Sequence, residues 1–456
     1  MNKTSDRFKL GNLLLAFILS LTLSMCTQGK EATKETNVKK QTKTEAKADV
    51  KKEETKTTEN KPSSASKADS KQIAKKETAK PKTKAATPGT KGADKSKTAD
   101  AKKNDKKDSV KEDTEKKDAE KKDEVEDDGA VAVPRVSNTV LLGGDILIEE
   151  ELQNFIDDFG KDYPIKKLQS VLAGHDIVFA NLEAPIGTEG EKVTGKPYSF
   201  LVHPKYAEGI KKMHLDVVSI ANNHTMDYGE KALYSTINWL NSNKIKYVGA
   251  GANLEDARKP VIFNKKGVEF VFLAYNERPP ASFYAKKDSP GTASANLEEI
   301  SEDIKKYKRK DNIVMVSMHW GIENTLYPQS YQTVMARAII DAGADVLIGH
   351  HPHWIQGVEI YKKKPIFYSL GNLLNGFYNR VEQDGFVAVL VFKGITLRRV
   401  EIIPIAGQNS LTDFQPYRMT GKEADAHLEF IGKISAKFRT RVIVKNNTGY
   451  IYIYDE

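Results

Sequence analysis

The sequence predicts a layered α/β fold, confined to the later two thirds of the chain. Three observations predict it. Short, nearly continuous apolar runs end in Asp, Asn, Glu or His, the pattern of strands buried on both faces. Helical patterns at Lys231–Asn243 and Gln329–Ala342 lie between such runs, and that alternation builds layers. A β-rich stretch from Gly385 to Ile405 suggests a second sheet packed against the first.

In chain order, the first element is a leader. Lys3, Arg7 and Lys9 precede an apolar run from Leu10 to Leu23, and Leu23-Ser-Met-Cys26 closes it. The run is short for a membrane span and has the grammar of a secretory signal. It ends like a lipobox, in which Cys26 becomes the lipidated first residue of the mature protein. An uncleaved anchor helix and ordinary secretion are the alternative readings. Cys26 is the chain's one cysteine, so no disulfide forms within the chain. The expected location is the cell envelope, as a lipoprotein on a periplasmic or extracellular face. Each acyl methylene buried would add about 0.8 kcal/mol to anchoring.

Residues 27–135 follow as a tether. From Thr27 to Pro134 there is no Phe, Tyr or Trp. Such a stretch cannot bury enough apolar surface to offset the entropy of ordering it. As a coil it spans on the order of 60 Å. It also explains the charge. Of the chain's net +9, residues 30–128 hold 29 lysines against 23 acidic residues, and the folded part is close to neutral. The basic surplus attracts anionic lipid headgroups or an anionic polymer. Nucleic acid is not an expected partner, because the tether offers no interleaved aromatic residues for stacking.

Residues 136–456 make one domain. Thr139–Asp145, Asp176–Glu183, Leu215–His224, Asn312–His319 and Ala344–His351 are its expected strands, with hairpin turns at Asn264–Gly267 and Lys362–Lys364. Ligands bind at the carboxyl ends of strands in such sheets. Those ends carry Asp145; Asn181 and Glu183; Asn222, Asn223 and His224; His319; and His350, His351 and His353. This mixture of carboxylate, amide and imidazole suits divalent Mn, Fe, Zn or Co. In His351-Pro-His353 the imidazoles are two apart, so extended backbone would point both to one side.

Each piece also has a plain structural reading. Asp145 after two glycines is a turn or N-cap residue, and Glu183 a solvated loop acid. Asn222 and Asn223 would cap a helix starting near Tyr228, with Asp227 supporting its N-terminus. His319 would be a core histidine. Three of nine histidines within four positions at one strand end resist that reading. His175, His203, His214 and His427 have no such context and read as surface or structural.

Taken in order, Asn181-Leu-Glu183, Ala221-Asn-Asn-His-Thr-Met-Asp-Tyr-Gly229, His319-Trp-Gly-Ile-Glu323, Gly349-His-His-Pro-His353 and Tyr368-Ser-Leu-Gly-Asn372 resemble the CapA family of poly-γ-glutamate capsule synthesis. That family is similar to calcineurin-like metallophosphoesterases. The resemblance implies a four-layer α-β-β-α sandwich holding one or two metal ions. It implies Asp145, Glu183, Asn223, His319, His351 and His353 as metal ligands, and His224 as general acid. Glu323 is expected to orient an imidazole, and Asn181, Asn222, Asp227, His350 and Asn372 to line the pocket. Two departures stand out: Asp145-Ile-Leu147 lacks the usual histidine two residues on, and Asn181-Leu-Glu183 replaces the usual bridging Gly-Asp. The function implied is capsule-polymer synthesis or export, either as a metal-dependent hydrolase, phosphoesterase-like or acting on γ-glutamyl polymer, or as a non-catalytic component that binds the polymer or its synthase. Capsule-synthesis membrane proteins are the expected partners.

Overall fold

The computed structural model describes residues 137–377 and 384–454. The leader with Cys26 and the tether 27–135 lie outside the described residues.

Two sheets form the domain. In the first, β1 (Ser137–Ile146), β2 (Ile177–Leu182), β3 (Val217–Ser219) and β4 (Lys246–Val248) run parallel. On the other side of β1 the order continues antiparallel through β14 (Gly385–Lys393), β15 (Thr396–Ala406), β18 (Thr448–Tyr452) and β17 (Ile443–Lys445). Short β13 (Asn372–Leu374) pairs with the end of β1, and β16 (Tyr417–Arg418) with the end of β15. The second sheet has a parallel centre of β7 (Val268–Asn276), β9 (Asn312–His319), β10 (Val346–His350) and β12 (Lys364–Phe367). Its edges are antiparallel: β6 (Val261–Lys265) on one side and β11 (Val358–Tyr361) on the other. A separate two-stranded ladder joins β5 (Ala250–Gly251) to β8 (Gly291–Thr292).

The period-two alternation of strand side chains assigns the layers. Val140, Leu142, Ile177 and Phe179 of the first sheet meet Phe270, Phe272, Ile313, Met315 and Ile348 of the second in a shared core. The alternate residues face outward. Leu141, Val178 and Val218 pack on helices α1 (Glu150–Phe159) and α2 (Gly229–Ser242). Leu273, Val314, Val316 and Leu347 pack on α3 (Leu297–Tyr307) and α4 (Ser330–Asp341). The result is the expected four-layer α-β-β-α sandwich.

A fifth long helix, α5 (Gly421–Ala436), adds Leu428, Ile431 and Ile434 to the core between the sheets. Beside it, Ser435 Oγ and Thr440 Oγ1 accept hydrogen bonds from the Val358 and Ile360 N–H groups of β11. Both expected hairpins form. Lys362 and Lys363 turn with φ of 50° and 65°, and Lys266 and Gly267 with 50° and 79°, the left-handed pair that a two-residue hairpin turn requires. No helix among the described residues is long and apolar enough to cross a membrane.

One expectation changes. The Gly385–Ile405 stretch is a hairpin, but it joins the first sheet through β1 rather than founding the second. The second sheet takes β9 and β10, which read in the sequence as members of one series with β1, β2 and β3. Apolar runs signal burial on both faces; they do not name the neighbouring strand.

Candidate metal centre

Both sheets turn their carboxyl ends to the same side, and the polar residues at those ends meet there. Asp145 lies one residue from the end of β1, after a Gly-Gly kink. A side chain on Gly144 would place its Cβ 2.0 Å from the Gly371 carbonyl oxygen, so only glycine lets β13 approach that closely. The pairing of β1 with β2 slips between Leu142 and Asp145, and Asp145 N–H donates to Gly371 O at 3.0 Å. This turns a fully buried carboxylate into the space between the sheets.

Hydrogen-bond partners fix most of the groups around it. Asp145 Oδ1 accepts from Asn181 Nδ2 and meets His350 Nδ1, both at 2.9 Å, and the His351 N–H donates to Oδ2 at 3.3 Å. Asn222 Nδ2 donates to Asn181 Oδ1 at 3.2 Å and to the Leu182 carbonyl at 2.8 Å. His319 Nε2 lies 2.8 Å from Asn223 Oδ1, and His353 Nδ1 2.9 Å from Asn372 Oδ1. His224 Nδ1 lies 2.7 Å from Asp227 Oδ2. The clearest exception is Glu183. It is fully buried, yet neither carboxylate oxygen has a hydrogen-bond donor. His351 Nδ1 and His350 Nε2 are buried and unpartnered too.

Burial of unpartnered acceptors at one point is costly unless a cation joins them. Two groups here have the spacing to hold one. Glu183, His319 and His351 bring one ligand atom each within 4.8 Å of one another, and so do Asp145, Glu183 and His353. Glu183 belongs to both. Its Oε1 lies 3.5 Å from His319 Nε2 and 3.7 Å from His353 Nε2. Asn223 Oδ1, beside His319 Nε2, offers a neutral oxygen to the first group. The donor set fits a divalent ion.

The electrostatics agree. Burial, then the neighbouring Asp145 charge, raises the Glu183 carboxyl well above its ordinary range. Burial raises Asp145 as well, but the hydrogen bond and charge of His350 reverse this and hold it low. Burial and the surrounding imidazoles push His319 well below the usual value, and burial with His353 takes His351 down to about 3. Burial lowers His224 despite Asp227. Imidazoles that stay neutral keep a lone pair for a metal.

The structure thus brings Asp145, Asn181, Glu183, Asn222, Asn223, His224, His319, His350, His351, His353 and Asn372 together. Glu323 stands apart. It is exposed and hydrogen-bonds none of the imidazoles, though its charge contributes to raising Glu183. The orienting task it was expected to perform falls to Asp145, Asn223, Asn372 and Asp227. Leu147, where a histidine was missed, is buried in the core below α1. Asn222 and Asn223 do not cap α2, whose N-cap is Tyr228 without a side-chain bond. His351-Pro-His353 is not extended: the histidines have φ of 94° and 58°, a left-handed turn of the kind found where function holds the backbone. Of the remaining histidines, His175 bonds the Val171 carbonyl, His203 caps a helical turn, and His427 bonds the Gly385 carbonyl. Sequence reasoning missed Lys196, which reaches the His224 loop from the long connection between β2 and β3. Its one sequence signal was a lone Gly-Lys-Pro in an otherwise polar loop.

Residues 139–377 match the family described as Bacterial capsule synthesis protein PGA_cap. The Capsule biosynthesis protein CapA of Bacillus anthracis is 34% identical over 243 residues, covering 52% of this chain and 59% of that one. The PGA biosynthesis protein CapA of Bacillus subtilis is 32% identical over 265 residues, covering 58% and 70%. A probable polyglutamine synthesis accessory protein of Mycobacterium tuberculosis is 30% identical over 289 residues, covering 59% and 75%. The chain therefore spans a little over half the length of the first of these relatives. With the match covering more than half of its residues, this chain belongs to the bacterial capsule synthesis protein family PGA_cap.

Proposed function

We propose that this protein is a metal-dependent hydrolase of the cell envelope, acting in the synthesis or export of an anionic capsule polymer of poly-γ-glutamate type. One observation carries the reading: Glu183 is fully buried, has no hydrogen-bond donor, and belongs to both groups of residues spaced to hold an ion. A carboxylate shared by both groups would serve as a ligand in either. Asn223, His319 and His351 would complete one side, Asp145 and His353 the other. Mn, Fe, Zn and Co all suit these donors. Such ions supply Lewis-acid stabilisation of charge developing on a phosphoryl or acyl centre.

The protein's own groups do the rest. His224 moves the proton that the leaving group needs, with Asp227 holding its ring from behind. Asn181 and Asn222 form the rigid amide floor beneath Asp145. Phe200, whose ring centroid is 4.5 Å from that of His224, keeps water from that side of the imidazole. The polymer setting follows from what the relatives' names say they make. Attachment to the membrane rests on lipidation of Cys26, and the partners are the polymer itself and membrane proteins of its synthesis.

The test is elemental analysis of the full chain, purified without chelators, beside His351→Ala/His353→Ala. Stoichiometric metal and hydrolysis of a phosphodiester or γ-glutamyl polymer in the wild type, with both lost in the folded variant, supports the reading. Equal activity in the two proteins refutes it, and the same fold then serves to bind the polymer or its synthase.

A further inference from the structure

The segment Val193–Phe200, in the connection between β2 and β3, closes round Asp227 at three points. The Val193 N–H donates to the Asp227 carbonyl at 2.9 Å, the Phe200 N–H to Oδ2 at 2.9 Å, and the Lys196 ammonium to Oδ1. The same ammonium donates to the Asn223 carbonyl at 2.5 Å. Lys196 is 12% exposed at its side chain and Asp227 fully buried, and Nζ sits 5.4 Å from the Phe283 ring centroid. A half-buried lysine on a buried carboxylate is expensive to assemble and is weak evidence for stability alone. Here the pair stands directly behind His224.

Hydrogen-bond direction can be followed from that pair. An ammonium only donates, and a carboxylate only accepts. Asp227 Oδ2 lies 2.7 Å from His224 Nδ1, much nearer than the Lys196 ammonium at 3.4 Å, so it takes the Nδ1 proton, and a neutral ring is left with a bare Nε2. Asn223 Nδ2, an amide nitrogen that can only donate, lies 3.1 Å from that nitrogen. The other end of the same amide, Oδ1, faces His319 Nε2 at 2.8 Å. Asn223 thus donates to His224, His224 donates to Asp227, and the Lys196 ammonium donates to Asp227 from the far side.

We propose that Lys196 is a positioning residue: held between the Asp227 carboxylate and the Asn223 carbonyl, it fixes His224 with its proton on Nδ1 and presents a bare Nε2 to the reacting centre. This deepens the proposed function and rests on its reading of His224 as the proton-transfer group. A ring so held takes a proton from the attacking water on Nε2 before it returns that proton to the leaving oxygen. It acts as base first and acid second, with no net change in the ring. Without the ammonium, only the Phe200 N–H still holds the buried Asp227 carboxylate as an acceptor, and the direction of the chain is weakly enforced.

The test needs neither substrate nor metal, so it can fail independently of the hydrolase reading. The full chain, chelator-treated and labelled with ¹⁵N at its nine histidines, is examined near neutral pH by long-range ¹H–¹⁵N correlation, with His224 assigned from His224→Gln. The expected pattern is a protonated Nδ1 and a bare Nε2 for His224 in the wild type. Lys196→Met should lose that pattern, and Lys196→Arg, which donates to the same two acceptors, should restore it. A wild type with its proton on Nε2 overturns the proposal, with no variant needed. So does an unchanged pattern in Lys196→Met. If Lys196→Met does not fold, Lys196→Ala, which removes the donor without placing a new side chain against Asp227, takes its place and is judged the same way.

Discussion

His350 Nδ1 lies 2.9 Å from Asp145 Oδ1, and the two residues stand on different sheets, His350 ending β10 and Asp145 one residue from the end of β1. The contact ties the layers together at the point where ions are expected to bind. Replacing His350 with Phe leaves Asp145 buried without its main partner. Leaving a buried carboxylate without its hydrogen-bond donor costs about 1 to 3 kcal/mol or more. Urea unfolding of chelator-treated protein should show a loss of that size, smaller when metal is present.

Glu183 should behave in the opposite sense. Its pKa is raised in the folded state by burial and by Asp145, so the folded protein holds this proton more tightly than the unfolded chain. Stability from that source is complete below the ordinary value near 4.5 and is lost as pH rises. Glu183→Gln should therefore melt several degrees higher than metal-free wild type at alkaline pH, and the advantage should vanish near pH 4. The same variant should bind less metal, which mass spectrometry under native conditions reads directly.

His351 gives the reverse pH dependence. Its folded value is about 3, lowered by burial and by His353, against an ordinary value near 6.5. The contribution is fully present above the unfolded value and is lost as pH falls from about 6.5 towards 3. His351→Asn, which tolerates positive φ, should flatten that part of the stability profile, a difference on the order of 4 kcal/mol at the acid end. Guanidinium titrations across that range on the metal-free protein measure it.

Gly144→Ala tests the kink. With 2.0 Å to the Gly371 carbonyl, the added methyl forces β13 away from β1. The expected loss is roughly 3 kcal/mol or more, together with loss of metal, because Asp145 moves with the strand end. A soluble variant with wild-type stability and metal content would show that the close approach is dispensable.

Much of this site was legible in the sequence, for a physical reason. A strand buried on both faces must be apolar until it emerges, so Asp145, Glu183, His319 and His350 announce themselves by ending such runs. The layers followed from the same pattern. Partner choice did not: Val387 and Val389 look alike whether β14 pairs with β1 or starts another sheet. The turn at His351 and His353 was misread as extended because spacing alone cannot report a positive φ in a non-glycine residue. Lys196 was missed because its role depends on a loop folding back over Asp227, a contact between residues about 30 apart with no periodic signature.

The hydroxyls of Ser435 and Thr440 have a consequence for solubility. By occupying the Val358 and Ile360 N–H groups, they blunt the outer edge of β11, where another chain could otherwise add a strand. Loss of the C-terminal segment from α5 onward would uncover that edge together with apolar core between the sheets. Shortened products of this chain should accumulate as insoluble assemblies instead of persisting as smaller working units.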